Sequence, residues 1–147
     1  MDKLFGSGLK LISPLMDWLK HRERKRTIAR LLLNEVKSNQ ARLGKEVTEW
    51  SSLRTNAEGH VIAIVPAPYK KDAYEKFKFN EELSLLGDQT QDKLIEYYNR
   101  IDLVEEPHHG LNTPEKRTAA ANKLIEQVNV AREIGDELAA LLKRELG

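Results

Sequence analysis

Over residues 2–20 the apolar side chains fall on one side of a helical wheel. At about 100° per residue, Leu4, Phe5, Leu9, Leu11, Ile12, Leu15, Met16, Trp18 and Leu19 share roughly half the circumference. Asp2, Lys3, Gly6, Lys10, Ser13, Asp17 and Lys20 take the other half. Gly6, Gly8 and Pro14 weaken helix here, and Ser13-Pro14 reads as an N-cap followed by an N1 proline. The pattern predicts a short, soft helix before Ser13 and a firm one from Pro14 onward. Ile28, Leu32, Val36, Leu43, Val47 and Trp50 then recur near a 3.6-residue period, with Asn39 on the same stripe. One long amphipathic helix to about Leu53 is expected, stopped by Asn56 and Gly59.

The pattern changes at "HVIAIVPAPYKK". Val61, Ile62, Ile64 and Val65 favour extended backbone, and Pro66 and Pro68 forbid a helix. An extended strap across helices is expected, with a lone strand or hairpin edge as the alternative. Asp72 and Glu75 form a D-x-x-E capping pattern for a short helix "AYEKFKF". A second short turn, "NEELSLL", ends at Gly87, and Asp88 or Thr90 should cap a helix to about Val104 carrying Leu94, Ile95, Tyr97, Tyr98 and Ile101. "EEPHHGLN" reads as loop. Thr113-Pro114-Glu115 combines a hydroxyl cap, an N1 proline and a first-turn acid. The helix it starts runs to Leu146 on a stripe of Ala121, Leu124, Val128, Ala131, Gly135, Leu138 and Leu142. Two long helices that each bury one stripe need partners. The fold class is therefore all-α: a helical bundle framed by two long antiparallel helices, with short middle helices, an extended Pro-containing strap and an N-terminal amphipathic helix. Small residues on the last helix (Ala120, Ala121, Ala131, Gly135, Ala139, Ala140) would allow close approach. Residues 1–26 form an anchor or oligomerisation segment, and 27–147 a single bundle domain.

Charge sharpens the reading of the first segment. Six basic groups, Lys20, Arg22, Arg24, Lys25, Arg26 and Arg30, follow the apolar half-cylinder against one acid, Glu23. That order suits a peripheral membrane anchor, the apolar face entering the acyl boundary and the collar meeting anionic headgroups. Trp18, at the junction, is a residue type that prefers the interface. The same face could dock a second subunit or the chain's own core. The net charge of +1 argues against a dedicated nucleic-acid binder, and the collar lacks interleaved aromatics. No run of about 18 uninterrupted apolar residues is present, so no spanning helix is expected. The opening residues do not read as a cleavable signal either.

Little in the chain points to catalysis. With no cysteine, thiol chemistry and thiolate metal sites are excluded. His108-His109 with His60 could gather a metal in principle, but adjacent histidines in a strand-like loop point apart, so no metal or cofactor is expected. Glu81-Glu82 and Glu105-Glu106 read as helix ends, the latter unfavourably placed for the helix dipole. Asn39 on an apolar stripe could fix register or oligomeric state. Tyr97-Tyr98-Asn99-Arg100 reads as a tie between the middle helix and the loops, with a small-ligand pocket near Tyr98 and Arg100 as the alternative.

"LLLNEVKSNQARL" (31–43) followed by "AYEKFKFNEELSLLGDQTQDKLIEYYNRIDLV" (73–104) resembles a loose class of uncharacterised prokaryotic membrane-associated all-α proteins. The matching positions are Leu32, Leu33, Glu35, Val36, Asn39, Tyr74, Leu83, Ser84, Leu85, Leu86, Tyr98, Arg100 and Ile101, and they cover about half the chain. Such proteins often carry a transmembrane helix ahead of the same basic segment, where this chain has a shorter, charged amphipathic stretch. The resemblance brings no catalytic residues. Together these readings lead us to expect a non-enzymatic adaptor or scaffold, cytoplasmic and peripheral at the inner face of the membrane. Its partners would be an anionic membrane surface, a protein partner, or both. The alternatives are a soluble homo-oligomer assembled through the N-terminal helix, or a small-ligand sensor.

Overall fold

The computed structural model describes residues 2–55, 63–64, 66 and 68–147, with side-chain surroundings described for 13–51, 66 and 68–147. In chain order the elements are α1 (Asp2–Thr55), β1 (Ala63–Ile64), α2 (Asp72–Phe79), a 3-10 turn (Glu82–Leu85), α3 (Asp88–Glu105), β2 (His108–His109) and α4 (Pro114–Leu146). The fold is all-α, and the two long helices pack against each other.

Their antiparallel sense follows from the contacts. Lys25 pairs with Glu145 near one end, and midway the Gln40 side chain meets the Arg132 carbonyl and Asp136. α3 also runs antiparallel to α4, joined by Thr90 to Glu145 and Lys93 to Glu137. Ile28, Leu32, Val36 and Leu43 of α1 face Leu124, Val128, Ala131, Leu138 and Leu142 of α4 across one core, closed by Leu94, Tyr97, Tyr98 and Ile101 of α3. Ile95 departs from the expected α3 stripe and is 49% exposed.

Three local expectations are corrected. The helix does not restart at Ser13-Pro14; α1 is continuous and Pro14 lies inside it. Proline's fixed φ is itself helical, although inside a helix it forfeits one backbone bond and its ring crowds the carbonyl four residues earlier. Pro14 is also exposed, so water can reach the backbone there. Second, the Pro-His-His-Gly segment is not only loop: Ala63 and Ile64 pair antiparallel with His109 and His108. Third, neither α2 nor α3 is capped from within its own sequence. Lys71 precedes α2 and Gly87 precedes α3, both without a side-chain cap. Thr113 does cap α4 as expected, accepting from the Lys116 N–H at 3.2 Å.

The missing caps come from the long helices. The Glu35 carboxylate of α1, buried in the bundle, accepts the Ala73 and Tyr74 N–H groups at 2.8 and 3.2 Å, the orphan donors of the first turn of α2. It also accepts the Tyr98 hydroxyl at 2.6 Å. Glu145 of α4 does the same for α3, accepting the Gly87 N–H at 2.8 Å and the Thr90 hydroxyl at 2.9 Å. Asn39 fixes the strap one step earlier, donating to the Lys70 carbonyl at 2.8 Å and accepting the Lys70 N–H at 2.9 Å. Glu105 accepts the Tyr69 N–H at 3.3 Å and pairs with Lys71, which accounts for an acid at a helix C-terminus.

Candidate functional site

The described part of the apolar flank is uncovered. Leu15, Met16, Trp18 and Leu19 are 57, 49, 56 and 45% exposed, and every residue from 13 to 24 is exposed. Burial begins at Ile28 and Ala29. α4 ends at Leu146, one residue past the Glu145 that pairs with Lys25. The stretch 13–23 therefore runs beyond the end of α4, and Arg24 is the first side chain to reach the body, its guanidinium 5.7 Å from the centroid of the buried Phe77 ring. Leu4, Phe5, Leu9, Leu11 and Ile12 lie outside the residues whose side chains are described. No helix among the described residues is long and apolar enough to cross a membrane.

The basic collar divides into two sets. Arg24 reaches back to Glu82 through both Nε and Nη2, the latter at 2.8 Å. That hydrogen bond and the charge behind it raise the Arg24 pKa and hold Glu82 below the usual carboxylate range. Lys25 pairs with Glu145 at 2.8 Å. Burial alone would push Glu145 up, but Lys25, the Gly87 N–H and the Thr90 hydroxyl together hold it below the ordinary range. Lys20, Arg22, Arg26 and Arg30 form no ion pair among the described residues. The Arg22 guanidinium lies over the Trp18 ring, 5.5 Å from its centroid.

The motif Tyr97-Tyr98-Asn99-Arg100 lines none of the pockets found among the described residues. Tyr98 is buried, stacked on Tyr74 with ring centroids 4.1 Å apart, and its hydroxyl is held by Glu35. Tyr97 meets Tyr98 edge-on and donates to Gln40 at 2.9 Å. Both phenols thus tie α3 to α1, not to the loops, and Arg100 is exposed.

A cleft of about 540 Å³ does open elsewhere, between α1 and the strap, lined by Asn39, Arg42, Glu46, Trp50, Pro68 and Lys70 among others. Beneath it lie four buried polar atoms without a hydrogen-bond partner: Arg42 Nε, Glu46 Oε2, Trp50 Nε1 and the Tyr69 hydroxyl. Arg42 stacks over the Tyr69 ring at 5.5 Å. The Tyr69 hydroxyl lies near the Glu46 carboxylate without completing a hydrogen bond. Burial pushes the Glu46 carboxyl up, and Tyr69 and Arg42 offset only part of this. Because the four atoms are closed to solvent, a molecule resting in the cleft would not touch them.

His108 is half-buried and His109 exposed, as expected of neighbours in extended backbone. Burial and nearby Lys123 lower the His108 pKa. Among the described residues no three His, Cys, Asp or Glu side chains gather as metal ligands. No family model, curated protein or solved structure matches the chain.

Proposed function

We propose that the protein is a non-enzymatic helical adaptor or scaffold held at an anionic membrane surface by the start of α1. The observation that carries this is the row Leu15, Met16, Trp18 and Leu19, each about half exposed on a helix that has left its bundle. Water-facing apolar side chains in such a cluster mark an interaction surface more often than an isolated exposed leucine does. Entry into the acyl boundary removes that area from water at roughly 25 cal/mol per Å². Each cation near the headgroups adds on the order of 1 kcal/mol. Phe79, 87% exposed, and Leu31, 44% exposed, are apolar groups on the bundle itself that a protein partner could cover.

Co-sedimentation with phosphatidylcholine vesicles, with and without phosphatidylserine, tests the reading. The chain should pellet with the serine-containing vesicles, and Trp18→Asp should weaken binding at least tenfold. Absence of binding to anionic vesicles, or binding indifferent to Trp18→Asp, would overturn it. Light scattering without lipid tests the other use of the same flank: a dimer that Trp18→Asp converts to monomer would identify a second copy as the occupant.

A further inference from the structure

The six-cation collar is not one ring but two faces with different work. Around the helix axis, at about 100° per residue, Trp18, Leu15, Leu19 and Met16 span an arc of roughly 160°. Arg22, Arg26 and Arg30 step by four residues, each about 40° further round, and all three fall inside that arc. Lys20, Arg24 and Lys25 fall outside it. Arg24 and Lys25, outside the arc, turn to Glu82 and Glu145 of the bundle, while Arg22, Arg26 and Arg30 form no ion pair among the described residues; Lys20 forms none either and is set apart by its azimuth alone.

Building on the proposed membrane reading, we infer that Arg22, Arg26 and Arg30 are the lipid-phosphate contacts. On this assignment the projecting part of α1 meets the surface with its apolar flank down, and Arg24 and Lys25 are withheld to pin the bundle behind it. Charge complementarity favours lipid over a second copy as occupant. Within the arc the stretch 13–30 offers one carboxylate, Glu23, against three guanidiniums, so a like-faced partner cannot neutralise them. A bilayer surface supplies phosphates at any register. Guanidiniums also suit this task through their bidentate fit to phosphate. Further along α1 only part of the arc stays open: Asn34 and Lys37, in line with Met16 and Leu19, are exposed, whereas Val36 and Leu33, in line with Trp18 and Leu15, are buried in the core.

The test compares single cations of equal charge. Lys20 and Arg22 are both exposed and two residues apart, and neither forms an ion pair among the described residues. Partitioning onto phosphatidylcholine–phosphatidylserine vesicles is measured for Arg22→Gln, Lys20→Gln, and the doubles Arg22→Gln/Arg26→Gln and Arg24→Gln/Lys25→Gln. Arg22→Gln should lose about fivefold and Arg22→Gln/Arg26→Gln about thirtyfold, while Lys20→Gln stays within twofold. Arg24→Gln/Lys25→Gln should lower the urea midpoint yet hold partitioning within threefold; if it does not fold, the Lys20–Arg22 comparison still decides. Equal losses for Lys20→Gln and Arg22→Gln, with wild type bound, overturn the two-faced assignment alone. No binding by wild type removes the membrane reading beneath it. A lipid-free dimer that survives Arg22→Gln/Arg26→Gln and does not dissociate on vesicles places a second copy on the flank and overturns the assignment as well.

Discussion

At the scale of single residues, Glu35 carries more of the fold than any exposed charge. Its two oxygens accept two backbone N–H groups and one phenol, all from segments at least 38 positions away. Replacing it with glutamine presents an NH₂ group to donors, so Glu35→Gln should cost about 2–3 kcal/mol in urea unfolding, the upper part of the range of about 1–3 kcal/mol for a stranded buried donor. Tyr98→Phe removes one donor and leaves an acceptor with two others, so about 1 kcal/mol is expected. A Glu35→Gln cost no larger than that of Tyr98→Phe would show that the two N–H bonds contribute nothing. Glu46 is the opposite case, a buried carboxylate with one oxygen unpartnered. Its pKa is raised above that of the unfolded chain. Its stabilising contribution is therefore complete below the unfolded value and fades as pH rises through the folded one. Glu82 and Glu145 are lowered, so theirs is present at neutral pH and lost as pH falls through the folded values. Glu46→Gln should thus stabilise the protein by about 1 kcal/mol at pH 7 and by less at pH 5. Urea midpoints at the two pH values check this, and equal gains would mean that Glu46 does not titrate in that window.

At the scale of elements, the pairing of α1 with α4 turns on a glycine that no turn requires. Gly135 is buried in the middle of α4, and a Cβ there would collide with the Gln40 amide. That amide donates to the Arg132 carbonyl at 2.8 Å and to Asp136 at 3.1 Å, and it accepts from Tyr97. Alanine is the better helix former by about 1 kcal/mol, but Gly135→Ala must displace three hydrogen bonds worth about 1 kcal/mol each. A net loss of about 1–2 kcal/mol is expected on those figures. In a Gln40→Ala background the obstruction is gone, and the same substitution should stabilise. A double-mutant cycle reads this change of sign, and its absence would show that Gln40 does not hold the helix–helix approach. The long elements were legible because their stripes repeat: α4 matches its expected start, end and buried positions, and α1 its core face. The small-residue reading of α4 held at Gly135 but not at Ala140, which is exposed. The caps of α2 and α3 were not legible. Asp72 and Glu75 form a plausible local box, and nothing in linear order says that Glu35 takes those donors instead. The β1–β2 contact is two residues long on each strand, too short to leave a period-two pattern.

At the scale of the whole molecule, the candidate site was legible in its ingredients and not in its division of labour. Periodicity found the apolar flank and the collar, but the assignment of Arg24 and Lys25 to the bundle depends on Glu82 and Glu145, distant in sequence. Those two pairs lie where the projecting part of α1 meets the body. The flank beyond them contributes surface and no core, so its chemistry should be separable from folding. Trp18→Asp, at an exposed position, should change the urea stability of lipid-free protein by no more than about 0.5 kcal/mol. Ile28→Ala, ten residues later at the first buried position, should cost about 2–5 kcal/mol through the cavity it leaves. A large loss for Trp18→Asp without lipid would mean that the flank is already covered in solution. If that loss grows with protein concentration, the covering surface is another copy of the chain. If it is independent of concentration, α1 folds back on its own bundle. Either result leaves the membrane without an apolar face to bind, while the pairing of α1 with α4 would stand in both.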